Sequence, residues 1–298
     1  MRIATFSHRG QRSVGRLLPD GARIQPLDLG EVGQRVGALA AIELMTAGGK
    51  LRDTGDPLGL SEVRLEAPIP QPRRNIFCIG KNYRAHAEEV ARSGKGSVAP
   101  ADKDKDPVPV APIVFTKVPE SVIGPGDTIR IDVKVSSKID YEAELAVIIG
   151  KGGRRIGKAD ALDHIWGYTI VNDVTARDMQ RRHQQWLLGK SQDTFCPMGP
   201  WLVTRDEIDL ADTHIRCWVN DELRQDATTA DLIFDVPTLI ETISAGITLL
   251  PGDIIATGTP SGVGIGFDPP KYLRAGDRVK VEIGRIGVLE NSVALWED

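Results

Sequence analysis

From Thr128 to the C-terminus the chain is a series of apolar segments, most of them too short for a helix. TIRIDVKV, YEAELAVIIG, GYTIVND, DIIATG, VKVEIG and GVLENSVAL carry apolar residues in alternation or in unbroken runs. These are the patterns of half-buried and fully buried strands. WVNDELRQ reads as a hairpin with Asn220-Asp221 near its turn. One clear helix interrupts the series. Asp235 is placed to cap it, Pro237 lies in its first turn, and Val236, Leu239, Ile240, Ile243 and Ile247 share one face. Many short strands with few helices define a β-rich α+β class.

The N-terminal part has a different texture. It offers short apolar segments and a helix predicted near Val36–Ala47, stopping at Gly48-Gly49. The proline-rich stretch Ala67–Asn75 reads as a linker. We therefore expect a small N-terminal domain, residues 1–72, ahead of a main domain, residues 73–298. A buried strand, Ile76–Ile79, opens the latter and ends at Gly80. Lys81–Arg92 has the pattern of a short polar helix. The aperiodic segment after Arg92 is expected to be a functional lid or disordered.

Bulk properties remove several classes of function. With 298 residues, 41% of them hydrophobic, the chain can bury a core without staples. A net charge of -4 with no basic stripe argues against a nucleic-acid surface. The longest apolar runs, such as LAVIIG, are too short for a membrane span, and the start lacks a secretory signal. Cys78, Cys196 and Cys217 form no CxxC pair, so neither a disulfide framework nor a zinc site is indicated. A cytoplasmic protein with reduced thiols is expected.

The chemistry begins at Glu142 and Glu144. Strand side chains alternate, so these two point the same way, and the apolar residues after them place the strand in the interior. Two like charges there repel and lose hydration, which a bound divalent cation would relieve. The alternative is a wet strand end where both glutamates meet lysines. Asp173, at the end of the run Tyr168–Val171, supplies a third carboxylate. Oxygen donors of this kind suit Mg²⁺ or Mn²⁺. Taken alone, Asp173 is equally a turn former.

In order, YEAELAVIIG, GYTIVNDVTARDMQ, LGKSQDTFCPMGPWLV, DLIFDVPTLI and TGTPSGVGIG resemble motifs of the fumarylacetoacetate hydrolase family. The resemblance runs from about Arg73 to the C-terminus. It implies a roll of mixed β-sheets with a few helices, usually paired into homodimers, to which the small N-terminal domain read above is added. It implies metal ligation by Glu142, Glu144 and Asp173, the residues chosen above on physical grounds. GKNYRAHAEEV is similar to the family's lid helix and implies a water-activating dyad of His86 and Glu89. One turn apart, the two can meet on a helix face; the bland alternative is an exposed histidine.

By the same resemblance Lys190 lies near the substrate, and an apolar neighbourhood would depress its pKa. Arg177, Gln180 and Thr259 are implied substrate contacts, although Arg177 could equally pair with Asp178 or Asp173. TGTPSGVGIG lacks the spacing of a nucleotide-binding loop.

The implied substrate is a small keto acid. The first expectation is a metal-dependent hydrolase that cleaves a C–C bond of an acylpyruvate-type β-diketo acid through a metal-stabilised enolate, with His86 and Glu89 activating water. The same core would serve an oxaloacetate decarboxylase or a 2-hydroxy-dienedioate isomerase. A catalytically silent binding protein of the same fold is the rival from another class. A nicotinamide-dependent dehydrogenase would need a glycine loop that the sequence lacks.

Overall fold

The computed structural model describes residues 1–93 and 106–297. Its largest sheet has twelve strands, with Ala143–Ile149 at the centre. Ile165–Asn172 pairs antiparallel with one edge of that strand and Ile254–Ala256 with the other. Beyond Ile254–Ala256 the sheet continues through Ile76–Gly80, in parallel, to Ile113–Lys117. On the opposite flank Ile165–Asn172 is followed by Cys196–Thr204 and then by Arg2–His8. A second sheet of five strands contains the hairpin His214–Val219/Glu222–Thr228 and the pair Arg278–Ile283/Gly287–Leu295. Parallel and antiparallel pairs occur together, so the fold is a mixed, β-rich one with a few helices.

Period-two alternation explains where the core lies. Along the central strand Leu145, Val147 and Ile149 enter a cluster that includes Ile215, Cys217, Val279 and Val281 of the second sheet. Ala146 and Ile148 point the other way, into a cluster with Leu39, Ala41, Ile42 and Met198. Glu142 and Glu144 share the parity of Ala146 and Ile148 and are buried at the strand's start. Both faces are covered, so these charges are largely withdrawn from water.

Several boundaries differ from the sequence reading. The helix expected over Val36–Ala47 is two helices, Gly30–Val36 and Leu39–Thr46. They break at Gly37, whose φ is 64° and where a side chain would overlap Thr5 and the Pro68 carbonyl. The strand expected over TIRIDVKV stops at Ile131, because Val135 and Ser136 turn back to the Asp132 carbonyl. Asp235 caps Val236–Ser244 as expected, accepting from the Thr238 amide at 2.9 Å. Ile247, however, lies past the helix and is exposed. The polar helix after Gly80 spans Arg84–Ser93. Most of the expected lid falls outside the described residues.

The N-terminal segment is stitched to the rest. Arg2 and Ile3 pair with Val203 and Leu202, so one sheet runs across the 72/73 boundary. Ala67, Pro68 and Ile69, expected in a linker, are buried, and the Pro68 carbonyl accepts from the Thr5 hydroxyl and the Ala38 amide. Among the described residues no helix is long and apolar enough to cross a membrane.

Candidate active site

Three carboxylates meet where two neighbouring strands end. Glu144 lies in the central strand, Glu142 one residue before it, and Asp173 one residue after Ile165–Asn172. The antiparallel register pairs Ala143 with Asn172, and the Asp173 amide donates to the Glu142 carbonyl at 2.8 Å. The backbone pairing therefore brings the acids together. Oxygen atoms of Glu142, Glu144 and Asp173 all lie within 4.8 Å of one another, and all three residues are buried.

Cationic side chains neutralise part of this charge. Lys190 donates to Glu142 Oε2 at 2.6 Å and to Asp173 Oδ2 at 2.7 Å. Lys117, entirely buried, donates to Asp173 Oδ1 at 2.7 Å and to the backbone carbonyl of Lys190. Arg177 pairs with Asp140 Oδ2 and Glu142 Oε1, each at 2.7 Å. Its partners are thus Asp140 and Glu142, rather than Asp178 or Asp173. The expected depression of the Lys190 pKa is also corrected. Burial lowers it, but Asp173 and Glu142 together outweigh burial and hold the ammonium protonated.

Glu144 is the exception. Its hydrogen-bond partner is the Gly258 amide at 2.9 Å, and among the described residues no cation pairs with it. Burial, then the charges of Asp173 and Glu142, push its pKa well above the ordinary glutamate value. Glu142 goes the other way. Burial raises it, but Lys190 and Arg177 bring it down to about 2. Four buried carboxylates, counting Asp140, thus face three basic side chains. An all-oxygen donor set short of one positive charge fits a hard divalent cation.

The dyad expected from the sequence is assembled. His86 Nδ1 is 3.2 Å from Glu89 Oε2, and both side chains are largely buried. Glu89 Oε1 accepts from the Gly262 amide at 2.9 Å. The glycine-rich segment TGTPSGVGIG holds the protein's own carboxylates. The Gly258 amide serves Glu144, Gly262 serves Glu89, and Gly264 and Ile265 serve Asp140 at 2.6 and 3.0 Å. Two glycines are required by this arrangement. Gly262 has a φ of 101° and a Cβ there would overlap the Arg224 carbonyl, and a Cβ at Gly266 would occupy the space of the Glu89 carboxylate.

These side chains surround one cavity. His86, Glu142, Glu144, Arg177, Gln180, Lys190 and Thr259 line it, together with Phe115 and Trp186. Asp173 lies behind Lys190 and Glu89 behind His86, each joined to the lining by the bonds above. The space between these side chains is about 30 Å³. Gln180 Oε1 accepts from Arg177 Nη1 at 3.3 Å, and the Thr259 hydroxyl accepts from Gln225 at 2.8 Å. Lys117, Asp140, Gln225 and the loop amides were not anticipated. Their partners lie far away in sequence, and four of the donors are backbone amides that no motif marks.

Residues 75–294 match the family described as fumarylacetoacetate (FAA) hydrolase C-terminal. The chain belongs to the fumarylacetoacetate hydrolase family. Within it, the chain is 55% identical over 235 residues to the oxaloacetate tautomerase YisK of Bacillus subtilis, covering 78% of this chain and 74% of that protein. A solved fumarylacetoacetate hydrolase from psychrophilic Exiguobacterium antarcticum superposes with a TM-score of 0.82 at 39% identity, covering 99% of this chain and 100% of that one. A 5-carboxymethyl-2-hydroxymuconate delta-isomerase from Mycobacterium smegmatis gives 0.78 at 32% identity, with coverage of 99% and 100%. The family, the β-rich mixed fold and membership of an enzyme family are thus as the motifs implied.

Proposed function

We propose that the chain is a metal-dependent tautomerase of short 2-oxo dicarboxylic acids, oxaloacetate above all. The observation that carries this reading is the shared cavity, in which the His86–Glu89 pair and the Lys190 ammonium face Glu142 and Glu144. The relative that is 55% identical and named an oxaloacetate tautomerase supports the choice of reaction. It moves the balance from the hydrolase expected first to the isomerase-type alternative.

Glu142, Glu144 and Asp173 would hold Mg²⁺ or Mn²⁺, which when bound stabilises negative charge on a keto oxygen. The remaining roles follow from the side chains. Glu89 holds His86 through Nδ1, which leaves Nε2 as the nitrogen that takes a proton from carbon 3 of the keto acid. The electron pair of that C–H bond moves into the carbon–carbon bond and the carbonyl electrons onto the 2-oxo oxygen. Lys190, held as an ammonium, stabilises the charge gathering on that oxygen. Return of the proton to oxygen gives the enol, and the reverse sequence gives the keto acid. No water is consumed.

Arg177 is committed to Asp140 and Glu142, so we assign it to bracing Glu142. Gln180 keeps its amide N–H groups and Thr259 its hydroxyl proton, and both are placed to bind substrate carboxylate. Residues 1–72 are proposed to brace the sheet as a small N-terminal domain, and a homodimer is proposed as the working assembly.

The second reading is C–C hydrolysis of an acylpyruvate, favoured by the dyad itself, which would as readily activate a water in the same cavity. A substrate panel separates the two. Following the keto and enol forms of oxaloacetate by ultraviolet absorbance with Mn²⁺ should show catalysed interconversion. No acceleration with oxaloacetate, together with cleavage of acylpyruvates, would replace the first reading by the second.

A further inference from the structure

A second, larger cavity lies on the other side of Arg177. It holds about 340 Å³ and is lined by Lys138, Arg177, Asp178, Arg181, Arg182 and Tyr272. Ile265 and Arg177 belong to the walls of both cavities, so the outer one adjoins the candidate active site.

Its charge is unbalanced. Among the described residues Lys138, Arg181 and Arg182 have no carboxylate partner, unlike most basic residues near the candidate active site. The acid in the wall, Asp178, is already engaged. Its Oδ1 accepts from the Ser136 hydroxyl at 2.5 Å and from the Met179 amide at 2.9 Å. Asp140, a buried carboxylate bonded to Arg177, is also taken up by the Gly264 and Ile265 amides. Tyr272 adds a half-buried phenol. Three cations converging on a concave wall with one committed acid make a positive site on a chain whose net charge is -4. Guanidinium forks suit carboxylates in particular, because they offer two parallel donors.

We propose that this outer cavity is a binding site for small dicarboxylate anions, distinct from the candidate active site and held by Lys138, Arg181 and Arg182. Opposite charge in a concave site raises the local anion concentration beside the inner cavity. The assignment goes beyond the tautomerase reading and does not depend on it, because binding is measured without turnover.

The test is calorimetric titration of the full chain with malonate, an unreactive dicarboxylate, at low ionic strength. The triple variant Lys138→Ala/Arg181→Ala/Arg182→Ala is compared with the wild type. A charge-matched control, Arg35→Ala/Lys50→Ala/Arg52→Ala, removes exposed basic residues elsewhere. The three outer-cavity side chains are exposed, so both variants should keep the wild-type melting temperature. The expected result is malonate binding that weakens at least about tenfold in the outer-cavity variant, fades with added salt and is unchanged in the control. Undetectable binding to the wild type, equal affinity in the outer-cavity variant, or an equal loss in the control would each overturn the proposal.

Discussion

Lys190 and Glu142 are joined by a buried, charged hydrogen bond of 2.6 Å, and the same ammonium reaches Asp173 at 2.7 Å. This lysine acts as a counter-ion before it can act on any substrate. Replacing it with methionine leaves Glu142 with Arg177 alone and Asp173 with Lys117 alone, beside the uncompensated Glu144. Lys190→Met should therefore lose about 3–5 kcal/mol of unfolding free energy in EDTA. Added Mg²⁺ or Mn²⁺ should return part of that loss. Urea unfolding with and without metal checks both statements, and an unchanged midpoint in EDTA would count against the counter-ion role.

Asp140 links three parts of the site. It accepts from Arg177 Nε at 2.7 Å and from the Gly264 and Ile265 amides. Asp140→Asn keeps the shape but removes the charge and misdirects one hydrogen-bonding edge. We expect a loss of about 3 kcal/mol or more in stability, with a fall in kcat larger than any change in KM. Chemical unfolding and steady-state kinetics measure the two effects.

Gly262→Ala probes the loop that seats Glu89. The positive φ and the close Arg224 carbonyl leave no space for a methyl group. Strain of roughly 1–3 kcal/mol should appear in thermal unfolding. Activity should fall further than in a surface glycine control such as Gly276→Ala, where the space is open. Equal activity losses would detach the loop from the dyad.

His86→Ala should lower kcat for keto–enol interconversion by about 10²–10⁴-fold, the ordinary worth of a positioned proton-transfer group. The decarboxylation of oxaloacetate, which needs no proton taken from carbon 3, should fall less. Stopped-flow absorbance separates the two processes. Equal losses would count against the role assigned to His86.

The two glutamates predict opposite responses to pH. Glu142, held down to about 2, favours the folded state above the ordinary glutamate value, and that contribution is lost as pH falls toward about 2. Glu144 is raised, so the folded metal-free protein binds a proton that the unfolded chain has released. Its contribution is present below the ordinary glutamate value and is lost as pH rises through the raised one. Metal binding must displace that proton. Titrating Mn²⁺ in two buffers of different ionisation enthalpy should reveal proton release, and Mn²⁺ affinity should rise with pH. Zero proton release below the raised value would contradict this assignment.

Much of the site was legible because it obeys local rules. Glu142 and Glu144 share a face by strand alternation, and Asp173 was marked by the end of an apolar run. His86 and Glu89 are one helical turn apart. What was hidden depends on distance. Lys117 ends a short edge strand and meets Asp173 56 residues later, and nothing in its own segment distinguishes it from a solvated lysine. Asp140 is held mainly by backbone amides about 124 residues away, which carry no sequence signature. In the fold, Gly37 divides a continuous helical pattern because Thr5 and Pro68 pack against it. The prolines of Ala67–Asn75 suggested a linker, yet Ala67 and Ile69 join the core and the Pro68 carbonyl is held by Thr5.

The most direct test of the account is Mn²⁺-dependent keto–enol interconversion of oxaloacetate after exhaustive EDTA treatment, in the wild type and in Glu144→Gln. The wild type should lose activity, regain it on adding Mn²⁺ and bind one ion per chain, while Glu144→Gln should bind far more weakly and stay inactive. Full activity of the metal-free wild type, or Mn²⁺ binding undiminished in Glu144→Gln, would contradict the metal site at its centre.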